Sequence, residues 1–285
     1  MTQDVDFRLR LESPKVFIKL VEILGKLLDY ADLSISAKGL ILDAMDASHA
    51  LQVHLFLAKG FFNECKVEMP QTIRVDLEEV NRIFKRNRGD AVFLMDSNGE
   101  NKLLIQMQGD IKRNFKAKLY PNDIDNIKEI NPIDYKAIAS LKADELAQIC
   151  GDASLVSDYA TFSLYADGLN FLLEINAGEE EEFNAVISKF VASPIVAAKQ
   201  TTMYSLEYLR DIAKMSDIAE EVSLRFASEM PMELKYNLEP KSELIFTLAP
   251  RVEDKEEPET SKPRIEPFPE DSSDDDEVKE PEEEE

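Results

Sequence analysis

Eight basic residues fall where helices would gather them: Lys15, Lys19 and Lys26 in one segment, Arg82, Lys85 and Arg86 in a second, Arg210 and Lys214 in a third. Each set lies on the polar face of an apolar-striped helix, a pattern open to two readings: cations that meet phosphate oxygens without reading bases, or a solvated face laced by i,i+4 charge pairs. Bond-making chemistry has few candidates. His49 and His54 are the only histidines, and no ligand-like cluster accompanies them, which argues against a catalytic or metal role. Cys65 and Cys150 are the only cysteines, too few for a disulfide framework or a four-cysteine zinc site; Cys150 falls on an apolar stripe and reads as packing. The nine glycines include no GxxxxGK, so ATP hydrolysis by a P-loop is excluded. These residues describe a non-enzyme without cofactor or metal.

The elements that must hold the cations follow from periodicity. Ser13 as N-cap and Pro14 at the first helical position open a helix over 13–28, with Val16, Leu20, Ile23, Leu24 and Leu27 as its apolar stripe. Asp76 caps a second over 76–88, burying Leu77, Val80, Ile83 and Phe84. Two more are expected at about 142–157 and 205–215. Alternation marks strands at Phe7, Leu9 and Leu11, then at LSISA, LILDAM, LQVHLFL, AVFLM, KLLIQMQ and IKRNFKAKL. In the last, Lys112, Asn114, Lys116 and Lys118 share one face. ATFSLYA, GLNFLLEI, EVSLRFA and ELKYNL supply strands to the second half. Each half reads as two helices on an antiparallel sheet, an α+β fold.

The halves are copies at an offset of 129 residues. Gly39 and Leu40 recur as Gly168 and Leu169, and Leu77, Glu78, Ile83 and Lys85 recur as Leu206, Glu207, Ile212 and Lys214. Leu33 matches Phe162, Ile35 matches Leu164, Leu42 matches Phe171 and Val80 matches Leu209, which predicts one ungapped register. The period is too long for a solenoid, whose repeats run roughly 20 to 50 residues, and gives two similar domains at 1–119 and 135–252. Between them, 120–134 is rich in Asn, Asp and Pro and reads as an extended connector.

Charge is uneven along the 285 residues. Of the net -24, residues 253–285 contribute 17 acids and 4 bases, net -13. That stretch, with SSDDDE and a terminal EEEE, is too charged to offset ordering entropy and is expected to be a disordered acidic tail. Ser272 and Ser273 ahead of Asp274–Glu277 fit an acidophilic kinase pattern, against the simpler reading of a solvated tail. Overall acidity opposes nucleic-acid binding unless the bases are segregated. The helix faces supply that segregation unequally: 13–28 holds three lysines against one glutamate and 76–88 four bases against three acids, whereas 142–157 sets Lys142 against Asp144, Glu145 and Asp152. No apolar run approaches the roughly 18 residues that cross a bilayer, and MTQDVDFRLR lacks a signal peptide's apolar segment. A soluble intracellular protein is expected, in the nucleoid or cytoplasm of a prokaryote given that no basic nuclear-import cluster is visible, or in the nucleus of a eukaryote.

GLILDAMDASHALQVHLFL, from Gly39 to Leu57, and LAPRVED, from Leu248 to Asp254, resemble signatures of the proliferating cell nuclear antigen family, the replicative sliding clamps. The likeness spans nearly all of 5–254 and leaves the tail outside. It implies the DNA clamp fold, with three two-domain subunits closing head to tail into a pseudo-sixfold ring, helices lining the hole and double-stranded DNA passing through without sequence specificity. It implies a homotrimer that tethers DNA polymerase, flap endonuclease and DNA ligase and is opened by a separate clamp loader. The family usually places bases near Gln148 and Gly151; their absence predicts that DNA leans toward the first-domain helices.

The resemblance also implies a groove for partner peptides carrying one aliphatic and two aromatic anchors. Met45, His49, Ala50, Ile127, Ile130, Pro231, Leu248, Ala249 and Pro250 would line it, with Gln52 standing where the family tends to have an apolar residue. Two other functions compete: an acidic chaperone for basic DNA-bound proteins, which the duplication does not favour, and a checkpoint-type clamp subunit, against which the intact MDASHA and LAPRVED elements stand.

Overall fold

Apolar and polar residues alternate along most of the chain, and the computed structural model turns that alternation into strands with one buried face. It describes residues 6–96, 101–121, 133–178 and 182–251; the predicted acidic tail and most of the predicted connector lie outside them. Among the described residues fourteen strands form a single antiparallel sheet, and Tyr159–Asp167, Asn170–Ala177, Phe183–Ile187 and Gln200–Ser205 form a second of four. The two halves meet inside the larger sheet: Ser242–Leu248 runs antiparallel to Leu51–Ala58, with Leu248 opposite Leu51 and Leu244 opposite Leu55. One apolar core runs beneath both halves. The sheets of the two halves are thus continuous, because the first half's edge and the chain's last strand complete each other's hydrogen bonds.

Among the described residues four helices cover the sheets: α1 (Lys15–Leu27), α2 (Leu77–Phe84), α3 (Ala143–Ala153) and α4 (Leu206–Ile212), the last continued by a 3-10 turn at Ala213–Asp217. Asp76 caps α2 as expected, its Oδ1 accepting from the Glu79 N–H at 2.9 Å. Ser13 does not cap α1. The Pro14 carbonyl accepts the first helical bond, from Ile18 N at 2.8 Å, which makes Pro14 the cap and leaves Ser13 one residue early. The second helix is shorter than its charge pattern suggested. Asn87 closes a turn there, its side chain donating to the Asp90 carbonyl at 2.9 Å and accepting from Gly89 N at 2.7 Å, with Gly89 at φ 93°.

The 129-residue offset survives in backbone detail: Leu77 N donates to Asp29 O at 2.9 Å, and Leu206 N to Asp158 O at 2.8 Å. In one hairpin it fails. Leu33 faces Leu42, but Phe162 faces Ile175, so the counterpart of Leu42 is Ile175 and not Phe171. The second hairpin is longer, and the next strand, Phe183–Ile187, is shorter than Leu51–Ala58. Leu169 consequently lands in a turn and is 100% exposed, whereas Leu40 is 1% exposed in the core.

Candidate nucleic-acid and partner interfaces

The helices form one connected layer, α1 packing on α2, α3 on α4, and α1 on both α4 and the 3-10 turn. Buried Phe17, Leu20, Ile23 and Leu24 hold α1 down, and Leu206, Leu209 and Ile212 hold α4.

The outward faces differ in how freely they present charge. Lys15, Lys26, Arg82, Lys85, Arg86 and Arg210 are exposed, while Lys19 and Lys214 are half-buried. Lys19 is committed to acids, reaching Glu22 Oε2 at 3.2 Å and Asp217 Oδ2 at 2.9 Å, and these contacts, Asp217 first, raise its pKa despite partial burial. Lys214 is paired with Asp211. Lys26 lies beside Lys214, whose ammonium pushes its pKa down, with burial adding to the effect and Asp211 and Glu22 opposing it. Lys15, Arg82, Lys85 and Arg210 have no ion pair among the described residues. α3 offers no basic residue in its last turn and carries Asp144 and Glu145 in its first. The positive surface therefore belongs to α1, α2 and the α4 end of the layer.

Arg86 and Lys85 also border a cleft of about 560 Å³ with Arg88, Asp90, Asp110, Ile111 and Arg113. Arg113 fixes its wall by donating to the Arg86 carbonyl at 2.8 Å and pairing with Asp90. Gly109 lets Asp90 in, because a Cβ there would meet Asp90 Oδ1 at 2.0 Å. Neither Arg88 nor Arg113 was singled out from the sequence. Arg113 belongs to a strand, where helical spacing gives no hint of it.

The predicted groove residues fall into two linked segments. Met45 ends the strand Gly39–Met45, and a turn carries the chain through His49 to Ala50, whose carbonyl accepts from Ala249 N at 2.8 Å. Met232 pairs with Leu248, bringing Pro231 beside Ala249 and Pro250. Met45, Ala50, Pro231, Ala249 and Pro250 are half-buried and His49 is exposed, whereas Leu248 is 1% exposed and lies in the core beneath them. Ile127 and Ile130 lie outside the described residues. Gln52 pairs with Met45 on one side and Thr247 on the other, and its Oε1 is buried without a hydrogen bond.

His49 adopts φ 60°, the left-handed region, within a turn organised by Asp46. Asp46 is 8% exposed. Its Oδ1 accepts from Leu51 N at 2.7 Å, and its Oδ2 accepts from Ser48 N at 3.2 Å, from the Ser48 hydroxyl and from the Tyr208 hydroxyl at 2.7 Å. Burial pushes the Asp46 pKa up, but the hydrogen bonds from Ser48, Leu51 and Tyr208 outweigh it and the net shift is downward. No local pattern in residue order links Tyr208, on α4, to this turn.

Among the described residues no His, Cys, Asp and Glu cluster could hold a metal ion. Cys150 is 1% exposed and burial pushes its thiol up to about 12, a packing role. No helix among the described residues is long and apolar enough to cross a membrane.

Comparison with known proteins agrees with this architecture. Residues 6–128 match the family model for the proliferating cell nuclear antigen N-terminal domain, and residues 129–251 that for its C-terminal domain. A DNA polymerase sliding clamp from Pyrococcus abyssi is 29% identical over 249 residues, covering 87% of this chain and 99% of the relative. Another from Thermococcus gammatolerans is 30% identical with the same coverage. A crystal structure of PCNA from Thermococcus kodakaraensis superimposes with a TM-score of 0.77 at 27% identity, covering 86% of this chain and all of the other. With two tandem domains, the clamp architecture and both family models matched, the chain belongs to the proliferating cell nuclear antigen family.

Proposed function

We propose that this sliding clamp closes with two further copies of itself into a ring around duplex DNA, tethers DNA polymerase and other replication and repair enzymes there, and itself catalyses no reaction. The observation that carries the ring is a pair of open strand edges. Lys112–Tyr120 pairs with Gln71–Asp76 only at Tyr120 and Leu119, and along residues 112–115 its outer edge has no paired strand among the described residues. Phe183–Ile187 likewise ends its sheet. Such edges call for a partner strand. The surroundings are complementary: the basic cleft with Ile111, 71% exposed, flanks the first edge, and Val186, 52% exposed, with the acids of α3 flanks the second.

Inside the ring, Lys15, Lys26, Arg82, Lys85, Arg86 and Arg210 make weak phosphate contacts, which leave the clamp free to slide because none reads a base, while Lys19 and Lys214 are engaged by Asp217 and Asp211. Encirclement makes each re-encounter of polymerase with the primer end effectively intramolecular. Partner peptides, including those of polymerase, flap endonuclease, ligase and loader, dock over Met45, His49, Ala50, Pro231, Ala249 and Pro250 with Ile127 and Ile130 of the connector. Loaded by its cognate loader, the protein should stay on nicked circular DNA and slip off once the circle is cut. Equal retention on both forms overturns encirclement, and a monomer mass in solution overturns the trimer.

A further inference from the structure

The turn that carries His49 and Ala50 belongs to the first half of the chain, yet both of its ends are fixed by the second. At Ala50 the fixing group is the backbone of Ala249, which donates to the Ala50 carbonyl at 2.8 Å. At Asp46 it is a side chain 162 residues away, the Tyr208 hydroxyl, 2.7 Å from Asp46 Oδ2 and 3.0 Å from the Ser48 hydroxyl. The other donors to Asp46, Ser48 and Leu51, are local. They close the turn and hold His49 in its left-handed conformation, with His49 N bonded to Asp46 O at 3.1 Å. With the Ala249 bond alone, the Ala50 end of the turn is tied to the second half and the Asp46 end is not. The Tyr208 bond ties that end too, because α4 is anchored by Leu206, Leu209 and Ile212.

We infer that Tyr208 is a positioning residue for partner binding: through Asp46 it sets the 45–50 turn against α4, so that His49 and Ala50 meet a partner peptide already in place. The inference rests on the partner-groove reading above. A hydrogen bond to a carboxylate that is 8% exposed contributes measurably, because the carboxylate loses a donor that water replaces only in part. Ordering the turn before binding removes that cost from the association.

The test is calorimetric titration of the full chain with a synthetic peptide bearing one aliphatic and two adjacent aromatic residues. Tyr208→Phe should weaken binding about threefold to tenfold, at a temperature where the variant is fully folded. Tyr165→Phe, which removes a hydroxyl from the other sheet, should bind as the wild type does. On an Asp46→Ala background, Tyr208→Phe should add nothing, since the two act as one unit. Wild-type affinity in Tyr208→Phe overturns the inference, as does a full additional loss on the Asp46→Ala background. If Asp46→Ala does not fold, amide exchange decides: faster exchange at Ser48, His49 and Leu51 in Tyr208→Phe supports the role, and wild-type protection overturns it. A wild-type chain that ignores the peptide removes the groove and this role together, whereas tight wild-type binding unchanged by Tyr208→Phe removes only the role of Tyr208.

Discussion

The hydroxyls of Ser34 and Thr72 meet at 2.9 Å across two paired strands, and 129 residues later those of Ser163 and Thr201 meet at the same distance. The bond is duplicated but its setting is not. Ser163 is 3% exposed, whereas Ser34 is only half-buried. Removing one partner costs most where the hydroxyl left behind is buried. Thr201→Ala, which strands the buried Ser163, should therefore cost about 1 kcal/mol and Thr72→Ala, which leaves the half-buried Ser34, less, read as shifts in the urea midpoint at constant slope. Equal shifts would mean that burial does not set the cost.

The repeat's leucines should diverge further. Leu40 fills the core beneath α1 and α2, so Leu40→Ala should destabilise by about 3 kcal/mol. Leu169→Ala should stay within about 0.5 kcal/mol, as surface changes do. Thermal unfolding of the two variants checks this. A similar loss in both would restore the single ungapped register that the sequence suggests and the hairpin pairing contradicts.

Their neighbouring glycines make a parallel case. Gly39 has φ 137°, and a Cβ there would lie 2.0 Å from the Leu57 carbonyl oxygen; Gly168 has φ 62° with open space around it. Gly168→Ala should cost only backbone strain, about 1 kcal/mol. Gly39→Ala must also displace a paired strand and should cost more. Denaturant midpoints give the order, and the reverse order would sink this account of the two turns.

A pH effect is expected from His54, whose Nδ1 lies 2.6 Å from Asp43 Oδ1 on the facing strand. That bond raises the His54 pKa, burial opposing it and Glu243 adding to it. Because the folded pKa is the higher one, the pair's stabilisation is complete below the unfolded value of about 6.5 and is lost as pH rises through the folded value. Both side chains are about 40% exposed, which limits the effect to about 0.5 kcal/mol. In an NMR titration, Asp43→Asn should bring the His54 pKa down to or below the ordinary histidine value. An unchanged midpoint would show that Asp43 is not the cause.

Much of this was legible in residue order, and the limits are physical. Periodicity located all four helices because each buries one stripe, and alternation located KLLIQMQ as Lys102–Gln108 to the residue. Helix ends were misplaced where a side chain or proline decides them, as at Asn87 and Pro14, since charge patterns continue past the last helical bond. The strands Glu64–Val67 and Ala192–Val196 escaped notice because they are short edge strands with little alternation. Family resemblance brought Met45, Ala50, Ala249 and Pro250 to one place. Tyr208 and Asp46 could not be paired from sequence, because a contact between distant residues leaves no local pattern. For the same reason the contact of Lys19 with Asp217 leaves no trace in the sequence, whereas Asp211 stands three residues from Lys214, a spacing that residue order already displays.

That neutralisation sharpens the expected asymmetry toward DNA. Each phosphate contact contributes about 0.9 to the slope of log affinity against log salt. Lys15, Arg82 and Lys85 are exposed and without ion pairs among the described residues, so changing all three to Gln should lower the slope by about 2.7. Changing Arg210 and Lys214 together should lower it by only about 1, because Lys214 is already engaged by Asp211. Lys19→Gln should leave the slope unchanged while loosening α1 from the 3-10 turn, since its ammonium bridges Glu22 to Asp217. The slopes come from titrating a short duplex with the full chain at several salt concentrations. A loss from the second pair as large as from the first three would mean that both halves grip DNA equally, and that the acids around Lys214 yield to phosphate when DNA is present.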